Sequence, residues 1–344
     1  MATHTPNVEL EEVEPETAVE LYLESRRYEC SQSTVSNHRY RLGHFTRWCE
    51  QGNLQQMSEM SGRKAEEYRQ WRRRDGDLAP VTIEQQIRTF RVFLQYCESN
   101  EWVRPGIHEK VLVPDVSAQE KSRNDHIDAD TADRVLSYLK RYHYGSTRHV
   151  LFHLLWHTGI RTGAARALDT DDWHPNEGYL SIRHRPDTET PLKLKERGER
   201  NLSIINSDLA TVLTDYIRDM RPEVTDEHGR EPLIASKQGR MHPTNIQRHI
   251  YVVTRPCHYG QPCPHDRDPD ECEATPTRSA SKCPSSVSPH PIRRSAITEH
   301  LNQDVPKEVA SERMAVSVKT LEQHYDARTK EDKRELRRDY LGGI

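Results

Sequence analysis

Along residues 15–104 the apolar side chains recur at helical spacing, and no stretch alternates in the manner of a strand. Four helices are predicted there. They run over ETAVELYLESRRY, over STVSNHRYRLGHFTRWCEQ with Leu42, Phe45 and Trp48 near one face, over GRKAEEYRQWRRR, and over VTIEQQIRTFRVFLQYCES. Ser31 or Ser33 offers the side-chain oxygen that caps the second helix, and the breaker DGDLAP separates the third from the fourth. Periodicity then lapses over PGIHEKVLVPDVSAQEKSRNDH, which reads as a linker. It resumes in TADRVLSYLKRYHY and in the strongly apolar RHVLFHLLWHTG. The runs YLSIRHR and ERNLSI flank a charged turn and predict a small antiparallel sheet. DLATVLTDYIRDMRP and HPTNIQRHIYVVTR return to helix. After a segment rich in Cys, Pro and Ser, three more helical patterns follow around IRRSAITEHLN, PKEVASERM and VKTLEQHYD. No internal repeat is present.

This organisation gives residues 12–108 as a helical domain, 109–127 as linker and 128–344 as a second domain with a Cys-rich insertion at 255–285. A chain of 344 residues suits two domains of ordinary size. Charged residues make up 30% of it and the mean hydropathy is -0.94, so the surfaces are polar. No apolar run is long enough to span a bilayer, and the acidic N-terminus lacks the apolar core of a signal peptide. The expected location is the cytoplasm, with no membrane partner. A net charge of -4 argues mildly against nucleic acid. The charge is uneven, however. The first domain carries Arg26, Arg27, Arg39, Arg41, Arg47, Arg72, Arg73, Arg74, Arg88 and Arg91, which could follow a phosphate backbone or simply form a solvated face.

Cleaving a phosphodiester without a metal requires a nucleophile, cations for the pentacoordinate phosphorus and an acid for the leaving oxygen. Four separated pieces of the second domain supply these groups. HTGIRTGAARALDTDDW places Arg161 at a helix start, where the helix adds its positive end. PLKLKERGERNLSI offers Lys193 and Lys195 in a turn. SPHPIRRSAITEHL puts His290 and Arg293 on one helix face. ERMAVSVKTLEQHYDAR carries Tyr325 near the chain's end, and its nearby rival, Tyr340, lies in a charged tail.

In this order, the pieces resemble the tyrosine recombinase (phage integrase) family. TGIR is similar to its first Arg box, HPIR to its His-x-x-Arg box, and HYD to its nucleophile segment. SPHPIRRSAITEHL and the Cys-rich stretch resemble the haloarchaeal integrase branch. The resemblance implies a mainly α fold with a small antiparallel β-sheet. It comprises an N-terminal four-helix core-binding (SAM-like) domain and a C-terminal catalytic domain. It implies a site-specific recombinase that joins DNA through a 3′-phosphotyrosine at Tyr325, acting as a homo-tetramer on two synapsed double-stranded sites. Arg161, Arg293 and His290 would hold the phosphate and a turn lysine would be the acid, with no cofactor for catalysis. TPLK favours Lys193, while counting back from Arg200 gives Lys195. Two departures stand out: Ala164 replaces an acidic residue three after Arg161, and Arg313–Met314 stands in the place of a Gly-His pair, where Met cannot donate to phosphate. They support a rival reading as a catalytically impaired DNA-binding regulator. A type IB topoisomerase, which shares the chemistry, is the other rival.

Of the seven cysteines, Cys30, Cys49 and Cys97 are scattered over helical patterns, whereas Cys257, Cys263, Cys272 and Cys283 crowd into one segment with His265. In a cytosolic chain such a cluster reads as metal before disulfide. Thiolates and imidazole are tetrahedral zinc ligands, so a structural zinc bound by some of these five residues is expected, bracing the helix that follows.

Overall fold

A computed structural model describes residues 9–117 and 126–325, with 334 and 338; Tyr340 lies outside them. The chain divides into two compact units, 1–124 and 125–344, each described separately below.

The first unit is helical: α1 (Pro15–Glu29), α2 (Gln32–Trp48), α3 (Gly62–Arg74) and α4 (Pro80–Ser99). Proline stands first in α1 and α4, where its missing N–H is no loss and its φ is preset. Ser31 caps α2 by accepting from the Thr34 N–H, and Ser61 caps α3 by accepting from Lys64. The faces so aligned bury Tyr22, Phe45, Trp48, Tyr68, Phe90 and Phe93 in one core. Arg72 departs from the expectation of a phosphate-following arginine. It is buried, donating to Gln86 Oε1 at 2.7 Å and to the Asp75 carbonyl at 2.6 Å. Its spacing from the buried Ala65 and Tyr68 puts it on the core face of α3. Arg39 and Arg47 are paired with Glu20 and Asp75. Arg27, Arg73, Arg74 and Arg91 are exposed.

The second unit is built around α6 (Thr147–Thr158), whose apolar residues fall on all sides and which is buried on nearly every side, His149 and His153 included. Against it lie α5 (Ala129–Tyr142), the short α7 (Thr162–Ala167), α8 (Ser207–Asp215), α9 (Pro243–Val253) and α10 (Pro289–Asn302), sharing one core. β1 (Trp173–His174), β2 (Tyr179–Ile182) and β3 (Arg200–Ser203) form an antiparallel sheet in that order, with Leu180 opposite Leu202 and Ile182 opposite Arg200. The strands end sooner than YLSIRHR and ERNLSI predict. Residues 183–199 form a long connection whose base is pinned by an Arg185–Asp172 pair at 2.6 Å and by the Leu192 N–H on His184 at 2.9 Å. A second hairpin, β4 (Ala235–Ser236) with β5 (Gly239–Arg240), has no signal in the sequence reading. α11 (Lys307–Met314) and α12 (Val318–His324) close the described chain.

Candidate active site

The end of α6 begins the site. The helix stops on Gly159, whose φ of 58° is one that a side chain rarely adopts. A Cβ there would also press on Met314 Sδ at 3.1 Å. Two residues later Arg161 caps α7 with its backbone, while its side chain reaches across to the turn after α11 and donates to the Ala315 carbonyl at 2.6 Å. From the first turns of α10 comes Arg293, only 3% exposed, which donates to the Met314 carbonyl at 2.8 Å and to the Gly159 carbonyl. From the start of β3 comes Arg200, which donates to the Arg313 carbonyl at 2.7 Å. Three guanidinium groups from three distant parts of the chain thus sit on three successive carbonyls, 313, 314 and 315. These are the carbonyls a helix C-terminus leaves without partners, and they carry its negative end.

Those dipoles are modest compensation for so much charge. Burial foremost, and then the neighbouring cations, lower Arg293 and Arg200 to about 10, still protonated at neutral pH. Burial lowers Arg161 as well. His290, in the first turn of α10, is held below its ordinary 6.5 by burial and then by Arg293, Lys193, Arg294 and Arg161, so its imidazole is neutral at pH 7. Among the described residues, no carboxylate figures in the charges acting on Arg161, Arg200, Arg293 or His290. Tyr325 faces this cluster. It terminates α12, is 8% exposed, and packs with Ile297, Met314 and Leu321. Its side chain lies close enough to Arg293 and Arg161 to act on both guanidinium groups, and its own carbonyl accepts from Thr298 Oγ1 at 3.1 Å.

Arg161, His290, Arg293 and Tyr325 are therefore brought together. The two lysines differ. Both are exposed in the 183–199 connection, but Lys193 is near enough to act on His290, whereas Lys195 does not figure there and takes a left-handed φ of 51° to open a tight turn. The auxiliary pair is corrected. The Arg313 side chain points elsewhere, donating to the carbonyls of Ser203 at 2.9 Å and His157 at 3.4 Å. Met314 is wholly buried against Gly159. What these two residues give the site is their backbone oxygens. The left-handed residue of the turn, where a glycine sits without strain, is Ala315 with φ 49°. Ala164 leaves Arg161 no carboxylate, and the Ala315 carbonyl holds it instead. Arg200 was not among the sequence candidates.

The cysteine segment leaves α9 and returns at α10. Cys257, Cys263, Cys272, Cys283 and His265 all line one small cavity, together with Arg255 and Arg267. All seven cysteines are free thiols. Among the described residues, ligand atoms in groups of three come within 4.8 Å of one another only at Glu189, Glu227 and His228, which are exposed; the cavity is lined by the thiols without being closed to that distance.

Neither a family model nor a curated protein matches the sequence. Solved structures do match the fold. The Tn1549 transposon integrase in complex with a circular intermediate DNA superposes with a TM-score of 0.65 at 14% identity, covering 94% of this chain and 99% of that one. A lambda integrase dimer bound to a COC' core site gives 0.64 at 12% identity, covering 93% and 79%. The N-terminal domain of a phage integrase/site-specific recombinase from Haloarcula marismortui is 32% identical over 30% of this chain and 99% of that one, with a TM-score of 0.29. The fold is that of the tyrosine recombinases, the phage integrase type: mainly helical, with small antiparallel sheets. Among the described residues no helix is long and apolar enough to cross a membrane.

Proposed function

We propose that the protein is a site-specific DNA recombinase that cuts and rejoins strands through a 3′-phosphotyrosine at Tyr325. One observation carries the reading: a tyrosine side chain lies against buried guanidinium groups on which, among the described residues, no carboxylate acts. Such a cluster is costly to assemble unless an anion completes it. Arg161 and Arg293 take the non-bridging oxygens of a DNA phosphate and stabilise the charge that grows on them. The Tyr325 oxygen forms a bond to phosphorus as the bond to the 5′-oxygen breaks. Neutral His290 accepts the phenolic proton, and Lys193 protonates the departing 5′-oxygen. The reverse step, with the 5′-hydroxyl of another strand, completes recombination. The bond energy stays in the ester, so no nucleotide is consumed. Arg200 is a positioning residue that fixes the Arg313 carbonyl beside the other two.

Double-stranded DNA with defined sites is the substrate, gripped in part by the exposed arginines of the first unit, with a homo-tetramer on two synapsed sites as the working assembly. The test is covalent trapping. A nicked suicide site incubated with the protein gives a covalent band on a denaturing gel, and Tyr325→Phe, which removes only the hydroxyl, gives none while still shifting the site on a native gel. A band that persists in Tyr325→Phe overturns the assignment.

A further inference from the structure

Residues 254–288 leave the core between α9 and α10 with little to hold them. The segment contains two short 3-10 turns and no strand, and between 260 and 286 the buried side chains are only Ala274, Ala280 and Cys283. Apolar burial on that scale does not order an excursion of this length; small modules without a core rely on cross-links instead. The ends are nevertheless fixed. Thr254 Oγ1 accepts from the Val287 N–H at 3.0 Å, and Arg148 reaches from α6 to Thr277 at 3.3 Å. What the middle shares is the thiol-lined cavity.

A second feature of that cavity calls for negative charge. Arg255, 6% exposed, lines it. One of its amino groups donates to the Ala274 carbonyl, while its Nε is buried without a hydrogen-bond partner among the described residues. Arg267 lines the same cavity. A buried guanidinium with an unpartnered N–H beside four thiols lacks an acceptor. Four thiolates around a divalent ion leave two negative charges beside Arg255, and a thiolate sulfur gives its N–H that acceptor.

We propose that Cys257, Cys263, Cys272 and Cys283 bind one structural zinc ion as four thiolates, cross-linking the excursion ahead of the helix that carries His290 and Arg293. Binding releases the thiol protons to solvent. Each cysteine has one free torsion through which its sulfur closes to the tetrahedral distance of about 2.3 Å. His265 is left out: its Nε2 is already hydrogen-bonded to Ser285 Oγ at 2.8 Å, and four thiolates complete a structural shell. The inference stands apart from the proposed chemistry at Tyr325.

The full chain, purified without chelator, should hold about one zinc by elemental analysis. Cys263→Ser and Cys272→Ser should each fall to background, and His265→Ala should keep the ion. Because the serine variants can fail to fold, two measurements use protein with all its cysteines. Replacement of zinc by cobalt(II) should give the sulfur-to-metal charge-transfer bands of a four-thiolate site. Alkylation should spare these four cysteines until a chelator strips the metal, after which all four react. Folded protein without zinc, zinc that persists while the four thiols alkylate freely, or loss of zinc in His265→Ala overturns the proposal.

Discussion

The second unit contains two dense clusters of arginine, and they are solved in opposite ways. Beside the β4–β5 hairpin, Arg240, Arg230 and Arg185 meet three carboxylates. Arg240 pairs with Asp169, and with Asp226 at 2.8 Å; Arg185 pairs with Asp172 at 2.6 Å; Arg230 reaches Asp169 and Asp226 at 3.4 Å each. Three positive charges and three negative charges cancel, and the network is a brace. Around the end of α11, Arg161, Arg200 and Arg293 donate, among the described residues, to backbone carbonyls, and Arg161 and Arg293 lie beside Tyr325. The residue type and the degree of burial are similar in the two places. What separates structure from chemistry is whether the charge is already balanced within the fold. The unbalanced cluster is the one the proposed reaction offers to a phosphate, and its guanidinium groups are lowered by burial and then by one another.

The sharpest test is therefore a pair of substitutions with opposite readouts. Arg161→Lys and Arg293→Lys keep the charge but lose the planar fork, and each should slow covalent cleavage by about 10²–10³. Stability to urea should fall by no more than about 1–3 kcal/mol, since Arg161 has one hydrogen bond at stake and Arg293 two. Asp169→Asn should do the reverse. It strips a partner from buried arginines and should destabilise by about 3–5 kcal/mol, with cleavage by the surviving folded protein little changed. A large stability loss in the arginine variants with normal cleavage would show that both clusters are braces and would remove the phosphate reading.

The elements of the fold were largely legible in the sequence because they rest on local patterns: helical spacing, proline and serine at helix starts, and glycine at the end of α6. The site was legible only in its side chains. Arg161, His290, Arg293 and Tyr325 sit in recognisable segments, but Arg200 acts on a carbonyl 113 residues away, which no local pattern encodes. The part played by Arg313 and Met314 is hidden for a related reason. Their letters describe side chains, whereas the turn offers backbone oxygens, and the left-handed residue that defines the turn carries the letter of alanine. Arg72 is a different failure. Its place four residues after Tyr68 and seven after Ala65, on the core side of α3, was readable as buried had charge not outweighed periodicity.

A somewhat smaller effect separates the two lysines, which belong to neither cluster but face the unbalanced one. Lys193 is among the cations that act on His290. Lys193→Ala should lose about 10²-fold in cleavage, in the lower range for a general acid, and Lys195→Ala should stay near wild type. Replacing the leaving 5′-oxygen by sulfur removes the need for a proton, so that substrate should restore Lys193→Ala but neither arginine variant, whose defect is charge stabilisation. Rescue of Lys195→Ala instead would exchange the two roles. Failure to rescue either, with both inactive on ordinary DNA, would place the acid outside the 183–199 connection.

The smallest expected effect falls on the turn that holds the three arginines. Ala315 has φ 49° and ψ 58°, a left-handed conformation in which a Cβ crowds the following carbonyl and costs about 1–2 kcal/mol. That carbonyl is the oxygen Arg161 uses. Ala315→Gly removes the crowding, although glycine gives back roughly 0.5–1 kcal/mol through the greater freedom of the unfolded chain. The net should be a stabilisation of up to about 1 kcal/mol, read as a small rise in the urea midpoint with an unchanged slope. Cleavage reports separately on the geometry. If strain at Ala315 aims the carbonyl at Arg161, relief should let the guanidinium drift and lower the rate severalfold despite the gain in stability. If the arginines aim the turn, the rate should not move. A loss of stability in Ala315→Gly would mean that the alanine methyl group packs into the site and that the turn is held by its side chain after all.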